Sequence, residues 1–76
     1  MKQKTIFPNI AVHPGVRFGK PVIAGTRVPV DVVVGKIAGG MVVNDVMREY
    51  DLTKRQVFAA LQYAANVVAH EDVIIA

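Results

Sequence analysis

Val46-Met47-Arg48-Glu49-Tyr50-Asp51-Leu52-Thr53-Lys54-Arg55-Gln56-Val57 is the stretch on which the fold turns. Val46 and Tyr50 stand one helical turn apart before the break at Asp51-Leu52-Thr53, and Val57 and Leu61 repeat that spacing after it. Thr53 is a good N-cap, and Gln56 three residues later completes a capping box. Leu52 plugs the corner, with Val57 and Leu61 anchoring the following helix. Two short amphipathic helices joined by a three-residue turn fit helix-turn-helix geometry. The spacing leaves Thr53, Lys54, Arg55, Gln56, Ala59 and Gln62 on the outer side near the start of the second of these helices. A recognition helix presents such residues to the major groove, where Arg, Lys and Gln read base edges. The same spacing also suits a plain α-helical scaffold with solvated charges, and Asp45, Glu49 and Asp51 put negative charge beside the proposed face.

Upstream of this pair, Pro29 can open a helix, because its missing N–H would be unbonded in the first turn anyway. Asp31 then sits near the positive end of the helix dipole. The helix is expected over Val30–Ala38 and stops at Gly39-Gly40. Val32, Val33, Val34 and Ile37 make it apolar nearly all round, as for a helix buried on several sides. The next helix begins at Val43 or Asn44 and ends near Tyr50; the last runs from Thr53 to about His70, with Val57, Ala60, Leu61, Ala64 and Val68 at helical spacing.

All four prolines precede residue 30, and neither proline nor glycine occurs from Met41 onward. Ile10-Ala11-Val12-His13 and Pro21-Val22-Ile23-Ala24 are short β-prone runs bounded by Pro14-Gly15 and Gly25, with Gly19-Lys20-Pro21 as a turn between them. The chain is therefore expected to be mainly α: a three-helix helix-turn-helix bundle over 30–76, preceded by a short N-terminal β hairpin or arm over 1–29, together one structural domain.

Charge divides at the same place. Residues 1–29 hold Lys2, Lys4, Arg17, Lys20 and Arg27 and no acid, whereas Lys36, Arg48, Lys54 and Arg55 face six acids in the remainder. A basic end on a mildly acidic body suits an anionic partner, or is simply a solvated arm. On the first reading Arg17, Lys20 and Arg27 join the candidate DNA contacts. The apolar share is 53% in only 76 residues. A domain of that size buries only about 60% of its unfolded surface, so excess apolar surface points to a partner and to a homodimer. The basic arm and the apolar segment Val73-Ile74-Ile75 are the expected sticky elements.

There is no cysteine, hence no disulfide framework or thiolate metal site, which suits a reducing compartment. No apolar run approaches the roughly 20 residues of a membrane span, and Pro8-Asn9 interrupts any leader-like segment after Met1-Lys2-Gln3-Lys4. A cytoplasmic protein without membrane contact is expected. His13, His70, Glu71 and Asp72 are the only conceivable metal group, and consecutive 70–72 do not share a helix face. No Ser-His-Asp or paired-carboxylate arrangement stands out. Neither catalysis nor a cofactor is expected. Gly25-Thr26-Arg27 offers a glycine, a hydroxyl and a guanidinium, as an anion loop would, but lacks the length and ending of a phosphate loop. It is read instead as a tight turn at Gly25, with Arg27 bridging to a helix carboxylate or helix end.

The segment Gly19-Lys20-Pro21-Val22-Ile23-Ala24-Gly25-Thr26-Arg27-Val28-Pro29-Val30 resembles the signature of domain-of-unknown-function family 433, in which a G-K-P-hydrophobic-hydrophobic-x-G-T-R-hydrophobic-P-V segment precedes three helices. Ala38-Gly39-Gly40-Met41, Tyr50-Asp51-Leu52-Thr53 and Ala59-Ala60-Leu61-Gln62-Tyr63-Ala64 resemble it too, over about residues 10–65. The resemblance implies a homeodomain-like helix-turn-helix protein of antitoxin type, paired with a PIN-like nuclease toxin and binding double-stranded DNA. Lys54-Arg55-Gln56 departs from the acidic residues expected after the Leu-Thr junction, which favours nucleic acid or alters partner choice. A module that binds only a partner protein is the alternative; a small enzyme or ligand-binding protein is a remote third.

Overall fold

The first β turn comes at Pro8-Asn9, where Asn9 adopts a left-handed backbone, with φ of 66°. It joins β1 (Lys4–Phe7) to β2 (Ile10–Val12) in the computed structural model, which describes residues 3–13 and 19–72. β3 (Val22–Ile23) pairs antiparallel with the other side of β2, giving a sheet in the order β1-β2-β3. The expected pairing of two β-prone runs is therefore present as Ile10↔Ile23 and Ala11↔Val22. The additional strand β1 escapes notice in the sequence because Lys4, Thr5 and Ile6 are all exposed and carry no buried face to create an alternation. Its register shifts between Thr5 and Phe7, a bulge-like irregularity that, with Lys4, guards the edge against further strand pairing.

Three helices follow: α1 (Val30–Ala38), α2 (Val43–Tyr50) and α3 (Lys54–Ala69). α1 has the expected bounds. It ends in a Schellman-type closure, with Met41 N–H donating to Lys36 O, Gly40 N–H to Ile37 O, and Gly40 at φ 105°. α2 ends in the related way on a residue that bears a side chain. Asp51 takes the left-handed conformation, φ 55° and ψ 51°, and Leu52 N–H reaches back to Met47 O. α1 differs from expectation in one respect: only Val30 and Val33 are buried, while Val32, Val34 and Ile37 are half-buried. A domain this small has no layer beyond α1, so the helix is covered on one side only.

One core joins both parts of the chain. Ile10 and Ile23 from the sheet, Val33 from α1, Val46 from α2 and Val57 from α3 are fully buried in the same cluster, completed by Leu52, Ala59 and Ala60. Phe7 meets Tyr63 edge-on at 5.5 Å, tying β1 to the middle of α3. The basic N-terminal part is thus integrated with the helices rather than extended from them. No helix among the described residues is long and apolar enough to cross a membrane.

Val57 is fully buried at the point where all three helices meet. A carboxylate there has no polar partner, and a buried unpaired charge destabilises by about 4 kcal/mol or more. Val57→Asp is expected to abolish the cooperative thermal transition seen by circular dichroism, and a native-like melt would refute this packing.

Candidate nucleic-acid interface

At one hundred degrees per residue, Lys54, Arg55, Phe58, Gln62, Ala65, Asn66 and Ala69 fall on a single side of α3, and all of them are exposed. The stripe contains no acid. The opposite side carries Val57 and Ala60 into the core, with Leu61 and Ala64 half-buried beyond them.

The start of α3 is fixed by two reciprocal devices. Gln56 N–H donates to Thr53 Oγ1 at 3.1 Å, and Thr53 N–H donates to Gln56 Oε1 at 2.8 Å. Leu52 and Val57, flanking this capping box, both enter the core and staple the corner. Thr53 and Gln56 are therefore structural first. Each of their oxygens already accepts one bond, and what they can donate to a ligand is the Thr53 O–H and the Gln56 amide N–H.

Ala59 corrects the sequence reading: it is 3% exposed and belongs to the core, not to the outer side. α3 packs on α1, α2 and the sheet, so it is covered over more than one side and its free stripe is narrower than helical spacing alone suggests. Phe58, absent from the sequence-derived candidates, stands on the stripe with 41% exposure. Its apolar character hid it, though its position one turn after Lys54 was available as a signal.

Lys54 and Arg55 are distinguished by what they lack. Lys36 pairs with Glu49 at 3.8 Å, and Arg48 pairs with Asp45. Lys54 and Arg55 meet no carboxylate among the described residues; the Lys54 ammonium lies 5.8 Å from the Phe58 ring centroid. Both occupy the first turn of a helix, where the macrodipole disfavours cations by about 0.3–1 kcal/mol each. Among the described residues Arg55 has no ion-pair partner there to offset that cost, and Lys54 has only the Phe58 ring. Nearby, Tyr50 has its phenol pKa raised by hydrogen bonding to Glu49, by burial and by the Glu49 charge.

Lys20 does not join this stripe. Lys20 pairs with Asp31 at 2.9 Å, both more than half exposed, and lies beside Val67 and Val68. That places it at the far end of α3, about 20 Å along the helix from Lys54. Arg27 is exposed but makes no ion pair among the described residues, so the expected bridge from Arg27 to a helix carboxylate is made instead by Lys20. Arg17 and Val73-Ile74-Ile75 lie outside the described residues.

The Gly25-Thr26-Arg27 segment is the tight turn expected of it. Gly25 has φ 80°, Thr26 Oγ1 donates to Ile23 O, and Val28 N–H donates to Thr26 Oγ1. The Gln3 side chain closes the turn from outside: Gly25 N–H donates to Gln3 Oε1 at 2.7 Å, and Gln3 Nε2 donates to Thr26 O. The amide an anion would need is already engaged, which removes the anion-loop reading. Among the described residues no group of three or more His, Cys, Asp or Glu gathers in metal-binding proximity.

A second surface lies on another side of α3. Val67 and Val68 continue the core-facing side past the end of the core, at 41% and 65% exposure. With Pro21, Val30, Val34 and Tyr63 they line an almost wholly apolar groove of about 340 Å³ between α1 and α3.

A small mainly α domain, three helices closed over a three-stranded antiparallel sheet with a cationic acid-free side on α3, is the class of protein this describes. The chain belongs to the family described as "Protein of unknown function (DUF433)", whose model matches residues 10–64, from β2 to the middle of α3. No curated protein and no solved structure matches it.

Because Thr53 caps α3, Thr53→Ala is expected to lower stability by about 1 kcal/mol. Urea denaturation showing no loss would mean that the capping box does not hold the corner.

Proposed function

We propose that this protein is a cytoplasmic, non-enzymatic DNA-binding regulator of antitoxin type, which inserts the first turns of α3 into the major groove and acts as a dimer. The observation that carries this reading is the state of the four helical cations: two are paired with neighbouring acids, whereas Lys54 and Arg55, at a helix N-terminus, meet no carboxylate among the described residues. Phosphates or base edges there offset the dipole cost, and guanidinium and ammonium groups are the donors that read guanine O6 and N7. The α2–α3 connection, a capped three-residue turn, has helix-turn-helix length. Gln62, two turns beyond Lys54, supplies an amide able to pair with adenine. Lys20, away from the stripe, serves at most as a backbone contact.

Lys54 and Arg55 are exposed, so replacing both with Ala leaves folding unchanged or slightly more stable. The double variant is expected to bind DNA from its own promoter region far more weakly. The dependence of its log K on log salt should fall by about one unit for each phosphate that it no longer neutralises. Unchanged affinity would remove α3 as the reading element. No affinity of the parent chain for duplex DNA at low salt would overturn the reading as a whole.

The apolar groove favours a second activity, protein binding. Dimerisation, or masking of a PIN-like toxin, requires exposed apolar surface, and the bulge and Lys4 make β1 a poor edge for it. We assign the protein contact to the Val67–Val68 side of α3. Val67→Asp with Val68→Asp is expected to keep the thermal transition, because both positions are exposed, and to turn a dimer into a monomer by light scattering. A parent chain that is already monomeric at micromolar concentration would refute the dimer, and a variant that stays dimeric would refute the groove as its interface.

A further inference from the structure

Phe58 leaves two fifths of its surface, 41%, exposed on the stripe that carries Lys54, Arg55 and Gln62, and the core cluster does not include it. A single exposed apolar side chain is ordinary, and position is what gives this one meaning. Val67 and Val68 point about a quarter to a half of a turn away from it around α3, so a partner seated in the groove between α1 and α3 does not cover Phe58. Its neighbours on the stripe are instead the ammonium of Lys54, 5.8 Å from its centroid, and the amide of Gln62 one turn further on.

We infer that Phe58 is a specificity-determining residue that contacts the 5-methyl group of a thymine in the major groove of double-stranded DNA. The inference rests on the DNA-binding reading above and adds which base the surface selects. The major-groove edge of an A·T pair differs from all others in displaying that methyl group beside O4, with adenine N6 and N7 across from it. Phenylalanine has no hydrogen-bonding atom and can discriminate only by apolar contact, for which the thymine methyl is the one apolar feature among the base edges. Gln62 lies four residues on, about 6 Å along the helix, close to the span of two base-pair steps, and its amide matches adenine N6 and N7. Lys54, packed against the ring face, holds the ring in place while its charge remains available to the backbone phosphates. Together these residues predict a site containing a thymine with an adenine within about two base pairs of it.

The test uses the full chain to select duplexes from a randomised library spanning two helical turns, about 20 base pairs, at low salt. Each thymine of the selected site is then replaced in turn by uracil, which removes only the methyl group. At one position the parent is expected to bind uracil about fourfold more weakly, the worth of one buried methyl-sized group. Phe58→Ala is expected to bind the thymine site about tenfold more weakly and to bind the thymine and uracil forms equally, while Phe58→Leu keeps part of the preference. A merely structural role would weaken both forms alike and leave their ratio at the parent value, which overturns the assignment. So does a parent indifferent to uracil at every position. Selection of no duplex at all overturns the DNA reading itself, so the two failures are distinct. A cooperative melting transition retained in Phe58→Ala, expected because Phe58 lies outside the core cluster, confirms that affinity is being read on folded protein.

Discussion

The corner between α2 and α3 holds the molecule together, and it is held by the Leu52–Val57 staple across the Thr53–Gln56 capping box. α3, the longest of the described helices, touches α1, α2 and the sheet, so its direction decides whether the core closes. Two apolar side chains and two reciprocal hydrogen bonds set that direction within six residues. The chain reaches the corner through Asp51 in a left-handed conformation, which costs an L-residue energy that glycine would avoid. Asp51 also brings a carboxylate close to the first turn of α3, although neither Lys54 nor Arg55 pairs with it.

Once α3 is set, its surface divides into faces with different chemistry. The core-facing side runs from Val57 through Ala60 and outlasts the core at Val67 and Val68, where it forms an apolar groove with α1. The outer side is cationic at its start, aromatic at Phe58 and amide-bearing at Gln62. The two surfaces are separate, so on the proposed reading a nucleic acid and a protein would not compete for the same atoms.

The sheet contributes more than an extension of charge. Ile10 and Ile23 fill the core, and Gln3 clamps the Gly25–Thr26 turn from a point 22 residues away in the chain. Its basic residues are consequently distributed by packing. Lys20 is drawn to Asp31 at the first turn of α1, and exposed surface pairs of this kind contribute about 0–1 kcal/mol. The charge asymmetry of the sequence is real, yet it does not bring Lys20 into one patch with Lys54 and Arg55.

The sequence alone determined the helices and their ends, because the signals there are local. Pro29 opens α1, Gly39-Gly40 closes it, and Thr53 with Gln56 starts α3, each through backbone conformation or hydrogen bonds spanning a few residues. Val57 in the core and Lys54, Arg55 and Gln62 outside it were legible for the same reason, since helical period alone separates them. Only the tertiary structure decided where the boundary of the free stripe falls. Ala59 is buried and Phe58 exposed although they are adjacent, because coverage of α3 by other elements depends on how those elements are oriented and not on spacing along the helix. β1, the Lys20–Asp31 pair, the Gln3 clamp and the groove under Val67 and Val68 were hidden likewise. β1 was hidden because it buries no alternating face, and the others join residues apart in the chain, brought together by the free energy of packing the whole domain.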